Sequence, residues 1–88
     1  MIPALPRGTR LRWDAVRETQ VLLGPERALM LDAVAYEILK RVDGVVTEAE
    51  ICADLAQAFG APLDRVSADV AAFLADLAEK RLLDISSS

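Results

Sequence analysis

The chain has 88 residues, enough for one small domain, with a hydrophobic fraction of 53% but only 5% aromatics, so aliphatic side chains must fill its core. One cysteine and no histidine exclude a disulfide framework, leave a structural zinc site almost without ligands, and rule out Ser-His, Cys-His and His-metal catalysis. The net charge of −4 is unevenly spread: residues 1–31 carry five arginines against three acids, and residues 32–88 carry eleven acids against five cations.

The first thirty residues read as strands. Arg10, Leu11, Arg12 and Trp13 alternate charged and apolar side chains, the period-2 signature of a half-buried strand. On this reading Arg10 and Arg12 form its wet face, in preference to a polyanion-binding cluster. After a short break at Asp14 and Ala15, residues 16–23 (VRETQVLL) form a second run, closed by Gly24 and Pro25. A third run, residues 26–31, sets Arg27, Leu29 and Leu31 against Glu26, Ala28 and Met30. Breaks this short predict a meander with the third strand on an open edge. A sheet this small needs a helical layer on its apolar face.

Past residue 31 the period becomes helical, and twelve of the fifteen alanines lie there. Asp32 is the expected N-cap of a first helix with Val34, Ala35, Ile38, Leu39 and Val42 on one face, ending at Asp43 and Gly44. Thr47 and Glu50 fit a capping box for a second helix whose stripe is Ile51, Leu55 and Phe59 and whose stop is Gly60. Cys52 beside that stripe reads as a structural thiol, because no cation lies near it in sequence. A third helix runs from about residues 62–64 to Arg81, gathering Val66, Val70, Phe73, Leu74 and Leu77 on one face. Alanines 68, 71, 72, 75 and 78 lie opposite, expressing helix propensity or offering a smooth face to a partner. Residues 82–85 are expected to pack back on the core, and residues 86–88 to fray.

The fold class expected is therefore α+β, a three-stranded antiparallel meander followed by three helices. It is read as one domain over residues 1–88 with an ordered core of about residues 6–85. The four glycines at 8, 24, 44 and 60 are isolated, so no phosphate-cradling loop is present. No apolar run approaches the roughly 20 residues that span a bilayer. A cytoplasmic, non-catalytic protein without cofactor is the expectation.

Read in order, Arg10-Leu11-Arg12-Trp13-Asp14, Leu22-Leu23-Gly24-Pro25-Glu26, Val42-Asp43-Gly44 with Thr47 and Ile51, and Asp69-Val70-Ala71-Ala72-Phe73-Leu74 with Leu77 and a Leu82-Leu83 close make the chain resemble the PqqD family of pyrroloquinoline quinone (PQQ) biosynthesis. The resemblance runs from about Pro6 to Leu83. One departure is Leu31-Asp32, where Leu-Asn is the family expectation; both residues cap helices. The resemblance implies a winged-helix-like domain that binds a ribosomally made precursor peptide. It implies presentation of that peptide to a radical S-adenosylmethionine (SAM) enzyme, which does the chemistry.

In related recognition domains the peptide adds as a strand along the third strand, in a groove walled by the third helix. That implies Arg27, Ala28, Leu29, Met30 and Leu31 as the strand wall, and Asp69, Val70, Phe73, Leu74 and Leu77 as the helix wall. Each apolar member also reads as core; Phe73 and Met30 suit both core and groove rim. Asp69 reads either as a solvated charge or as the partner of a basic peptide residue. The rival readings are a winged-helix DNA-binding regulator and a homodimerising adaptor that uses the exposed strand edges. The third helix opposes the first: residues 64–81 carry three cations against four acids, and the sequence pI is 4.6. Neither a nucleic-acid nor a membrane partner is expected.

Overall fold

The computed structural model describes residues 1–87, among which lie five strands and three helices. In chain order they are β1 (Ile2–Ala4), β2 (Arg10–Asp14), β3 (Thr19–Leu23), β4 (Ala28–Leu31), α1 (Ala33–Leu39), α2 (Glu48–Phe59), α3 (Leu63–Glu79) and β5 (Asp84–Ser86). Strands β2, β3 and β4 form the expected antiparallel meander, with β3 in the middle and β4 on an edge. No helix is long and apolar enough to cross a membrane among the described residues.

The sheet's inner face follows from its register. Leu11, Leu22 and Leu29 lie side by side across the three strands, and Leu31 continues the row on β4. Leu22 and Leu31 belong to the buried cluster, with Leu11 and Leu29 packed against it. Helices supply the rest of that cluster: Ala35, Ile38 and Leu39 from α1, Ile51, Cys52 and Leu55 from α2, and Val70, Leu74 and Leu77 from α3. Cys52 is thus a buried core thiol. Val21, on the opposite face between Arg12 and Met30 in register, is nonetheless only 5% exposed.

Local chemistry sets the ends of each element. Asp14 Oδ1 accepts from the backbone N–H groups of Val16 and Arg17, and Glu18 takes φ +53°. That side-chain-stabilised turn occupies residues 15–18, so the second predicted strand begins three residues late, at Thr19, and Val16 is out in solvent. The hairpin between β3 and β4 closes with the Gly24 N–H donating to the Arg27 carbonyl at 2.8 Å, which confines the third predicted strand to residues 28–31. A Cβ on Gly24 would stand 2.6 Å from Leu82 Cδ2, so the hairpin rests directly on the buried C-terminal segment.

Helix α1 stops at Leu39, short of the expected Val42. Beyond it, Arg41 donates to the Glu37 carbonyl and carboxylate and pairs with Asp54 of α2, fixing the two helices together. Helix α2 matches its reading: Thr47 and Glu50 form a reciprocal capping box, and Gly60 ends it at φ +62°. Helix α3 ends in a Schellman arrangement, with the Arg81 N–H bonding to Ala78 and the Leu82 N–H to Leu77. Arg81 occupies the left-handed position (φ +60°) that glycine usually fills.

Two short strands escaped the sequence reading. β1 and β5 pair antiparallel, Pro3 opposite Ile85, joining the two ends of the chain. In this ribbon Ser86 stands opposite Ile2. Ser88 lies outside the described residues. Trp13 is a further departure: its alternation points it inward, yet on the edge strand β2 it is 53% exposed.

Two predictions follow from these ends. Arg81→Gly removes a left-handed strain and raises unfolding stability by about 0.5–1 kcal/mol in urea denaturation. The Glu50 carboxylate, accepting from the Thr47 N–H, and the Asp43 carboxylate, accepting from the Val46 and Val45 N–H groups, both titrate below their ordinary values in the folded protein. A lowered folded-state value means these bonds stabilise fully above the unfolded-state value of about 4 and are lost as pH falls below it. The urea midpoint drops over that acid range, and Glu50→Gln makes the drop shallower.

Candidate functional site

Of the sheet's two edges, β2 carries Arg10 and Arg12 and β4 carries no charge. Edge cations discourage pairing with another chain, so β4 is the less defended edge. Its bonding pattern follows from the hairpin closure. Gly24 and Arg27 are a hydrogen-bonded pair, and bonded and non-bonded pairs alternate along antiparallel strands. Leu29 and Leu31 therefore direct their backbone groups toward β3, and the Leu31 carbonyl accepts there from Thr19 Oγ1 at 3.1 Å. Ala28 and Met30 present their N–H and C=O groups to solvent on the free edge. Met30 is also 64% exposed through its side chain.

β4 leads through one residue into α1. Asp32 caps that helix, its Oδ1 accepting from the Ala35 N–H at 2.8 Å. Ala33 and Val34 then begin one wall of a cleft of about 340 Å³. Glu37 and Ile38 continue that wall; Leu55 and Phe59 of α2 close one side; and Ala61, Pro62, Arg65, Val66, Asp69 and Val70 form the opposite wall at the start of α3. The lining is apolar apart from Glu37, Arg65 and Asp69. Glu37 is already committed: the Arg41 guanidinium and then the Lys40 ammonium hold its carboxyl below the usual range, at 2.9 and 3.0 Å. Among the described residues, Arg65 and Asp69 have no ion-pair partner, and no cluster of potential metal ligands exists.

The residues singled out from the sequence fall into three groups. Asp69 and Val70 line the cleft. Ala28, Leu29, Met30 and Leu31 make up β4, with Ala28 and Met30 outward and Leu29 and Leu31 toward the core, while Arg27 stands just before it in the hairpin turn. Phe73 packs half-buried against the core, and Leu74 and Leu77, at 1% and 0% exposure, lie inside it; none of the three lines the cleft.

The α1 wall and the Phe59 corner were missed. Val34 and Phe59 sit on faces that periodicity assigns to the core, yet they are 65% and 60% exposed. Helical spacing identifies a face but not whether a neighbour covers it, and here the space opposite that face is the cleft.

Comparisons with known proteins converge on one family. The family model described as coenzyme PQQ synthesis protein D (PqqD) matches residues 19–83. A PqqA binding protein of Rhizobium meliloti is 42% identical over 81 residues, covering 92% of this chain and 83% of that protein. The bifunctional coenzyme PQQ synthesis protein C/D of Methylorubrum extorquens is 47% identical over 83 residues, but the chain spans only 22% of its length. Among solved structures, the PqqD truncation of Methylobacterium extorquens PqqCD, described as a functional, stand-alone recognition element for ribosomally synthesized and post-translationally modified peptides, matches 96% of this chain and 89% of its own, with TM-score 0.82 and 46% identity. The crystal structure of PqqD from Xanthomonas campestris matches 97% and 94%, with TM-score 0.65 and 39% identity.

Rim and floor of the cleft separate by stability. Val34→Ala and Phe59→Ala, at exposed positions, change unfolding free energy by less than about 1 kcal/mol. Ile38→Ala, at a buried position on the same lining, costs about 2–5 kcal/mol. Urea denaturation of the three variants checks the contrast.

Proposed function

The chain belongs to the PqqD family, and from that premise we propose that it captures the PqqA precursor peptide by strand addition at β4. The family consists of recognition elements rather than catalysts, in keeping with relatives named for binding PqqA. One observation carries the reading for this chain: the only uncharged edge of the three-stranded sheet, among the described residues, runs within a few residues into an apolar cleft. The free N–H and C=O groups of Ala28 and Met30 give an extended peptide up to four backbone bonds, independent of its side chains. Alternate peptide side chains then supply specificity, with the cleft between α1 and α3 taking the apolar ones.

The strand wall of this proposed site is residues 27–31. Its helical wall is the Asp69 and Val70 end of α3, extended by Ala33, Val34 and Phe59, with Phe73 farther along the same helix. Leu74 and Leu77 support that wall from within the core. We assign the subsequent carbon–carbon bond formation to the pathway's radical SAM enzyme, to which the bound peptide is presented. A free β4 edge also permits two copies to pair, and such self-pairing competes with peptide for the same backbone groups.

Titrating the isotopically labelled protein with PqqA peptide, followed by amide shifts, tests the reading. Saturable shifts concentrated in residues 28–34 and 66–70 are expected; their absence at high peptide concentration overturns it. Ala28→Pro removes one free-edge donor at the first position of the strand, where proline is tolerated, and leaves the ladder to β3 intact. It weakens peptide binding at least several-fold while the melting temperature stays within a few degrees of the parent protein.

A further inference from the structure

The cleft offers two uncommitted charges of opposite sign, and they lie one turn apart on one helix. Arg65 and Asp69 both line it, immediately precede Val66 and Val70 respectively, and are exposed without an ion-pair partner among the described residues. Glu37, the third charge on the lining, is neutralised by Arg41 and Lys40. An arginine four residues before an aspartate is the weaker orientation for a pair within a helix, which leaves both side chains available to a ligand.

Their spacing fits an extended chain. Four helical residues rise about 6 Å, and alternate residues of a strand, which share one face, are separated by about 7 Å. Resting on the capture reading above, we infer that Arg65 and Asp69 read the order of charge in the bound peptide and so set its direction along the cleft. The segment they select carries an acidic side chain opposite Arg65 and a basic one two residues away opposite Asp69, on the peptide face turned toward α3. Backbone pairing with β4 accommodates either direction of a peptide; a charge pair of fixed order accommodates one.

The test combines Arg65→Asp and Asp69→Arg in one protein and measures binding of two peptides by calorimetry at low salt. The first is PqqA; the second is PqqA with every acid changed to lysine and every lysine or arginine to glutamate. Both substituted side chains are exposed, so the reversed protein retains its fold, as circular dichroism will register. The reversed protein is expected to bind PqqA about 5–20-fold more weakly than the parent does, twice the effect of one exposed pair on a logarithmic scale. That difference shrinks in 0.5 M salt. The charge-exchanged peptide shows the opposite preference, binding the reversed protein better than the parent. If each peptide binds both proteins equally, the charge-order inference is overturned while capture stands. If PqqA fails to bind the parent at all, the capture reading and this inference fall together.

Discussion

The passage from strand to helix at Asp32 decides what this small domain can do. A single carboxylate oxygen, bonded to the Ala35 N–H at 2.8 Å, lets the chain leave β4 and enter α1 without an intervening loop. Asparagine would serve equally as a cap, so the departure from the family expectation at this position leaves the turn intact. Because the turn is immediate, the free edge and the first wall of the cleft are consecutive in sequence: Met30 ends the exposed edge groups and Val34 begins the apolar rim. Four residues span at most about 14 Å, so an extended peptide of modest length reaches both.

The remainder of the fold holds that junction in place with little material. An 88-residue chain has a thin core, and much of it comes from the buried faces of three helices against one row of leucines on the sheet. The C-terminal segment closes this arrangement from below. Leu82 and Leu83 are buried, Leu82 presses on Gly24 at the β3–β4 hairpin, and β5 returns to pair with β1. The hairpin that presents β4 is thus braced by residues almost sixty positions away. A side chain at position 24 would force either the hairpin or the buried Leu82 side chain to shift.

Much of this was readable from residue patterns, for identifiable reasons. The capping box of Thr47 and Glu50, the stop at Gly60 and the core stripe of α3 are local features, and local chemistry determines them. The meander order also followed from the shortness of its breaks. β1 and β5 were invisible because three residues carry no period and their pairing spans the whole chain. The turn at residues 15–18 depends on which backbone groups the Asp14 side chain captures, and VRETQVLL gives no sign of it. For the site, the helical wheel placed Val70 on the apolar stripe, and the family resemblance, not the wheel, singled out Asp69. The wheel could not separate Val34 and Phe59 from true core residues, since all share the same spacing and only the packing of three helices leaves the gap between them.

The two edges of the sheet express opposite solutions to one physical problem. Unpaired backbone groups attract any extended chain, and arginines on β2 oppose that association through charge and solvated bulk. On β4 the same defence would require charge at Ala28 or Met30, the outward positions, and neither carries it. An undefended apolar edge is a liability in solution, tolerable here because it is only four residues long and ends in a helix cap. Brevity limits what backbone pairing alone can contribute, since two residues offer two donors and two acceptors. Under the proposed strand addition, discrimination between peptides then falls to side chains, and the cleft wall at the start of α3 sets Val66 and Val70 beside Arg65 and Asp69, which have no ion-pair partner among the described residues.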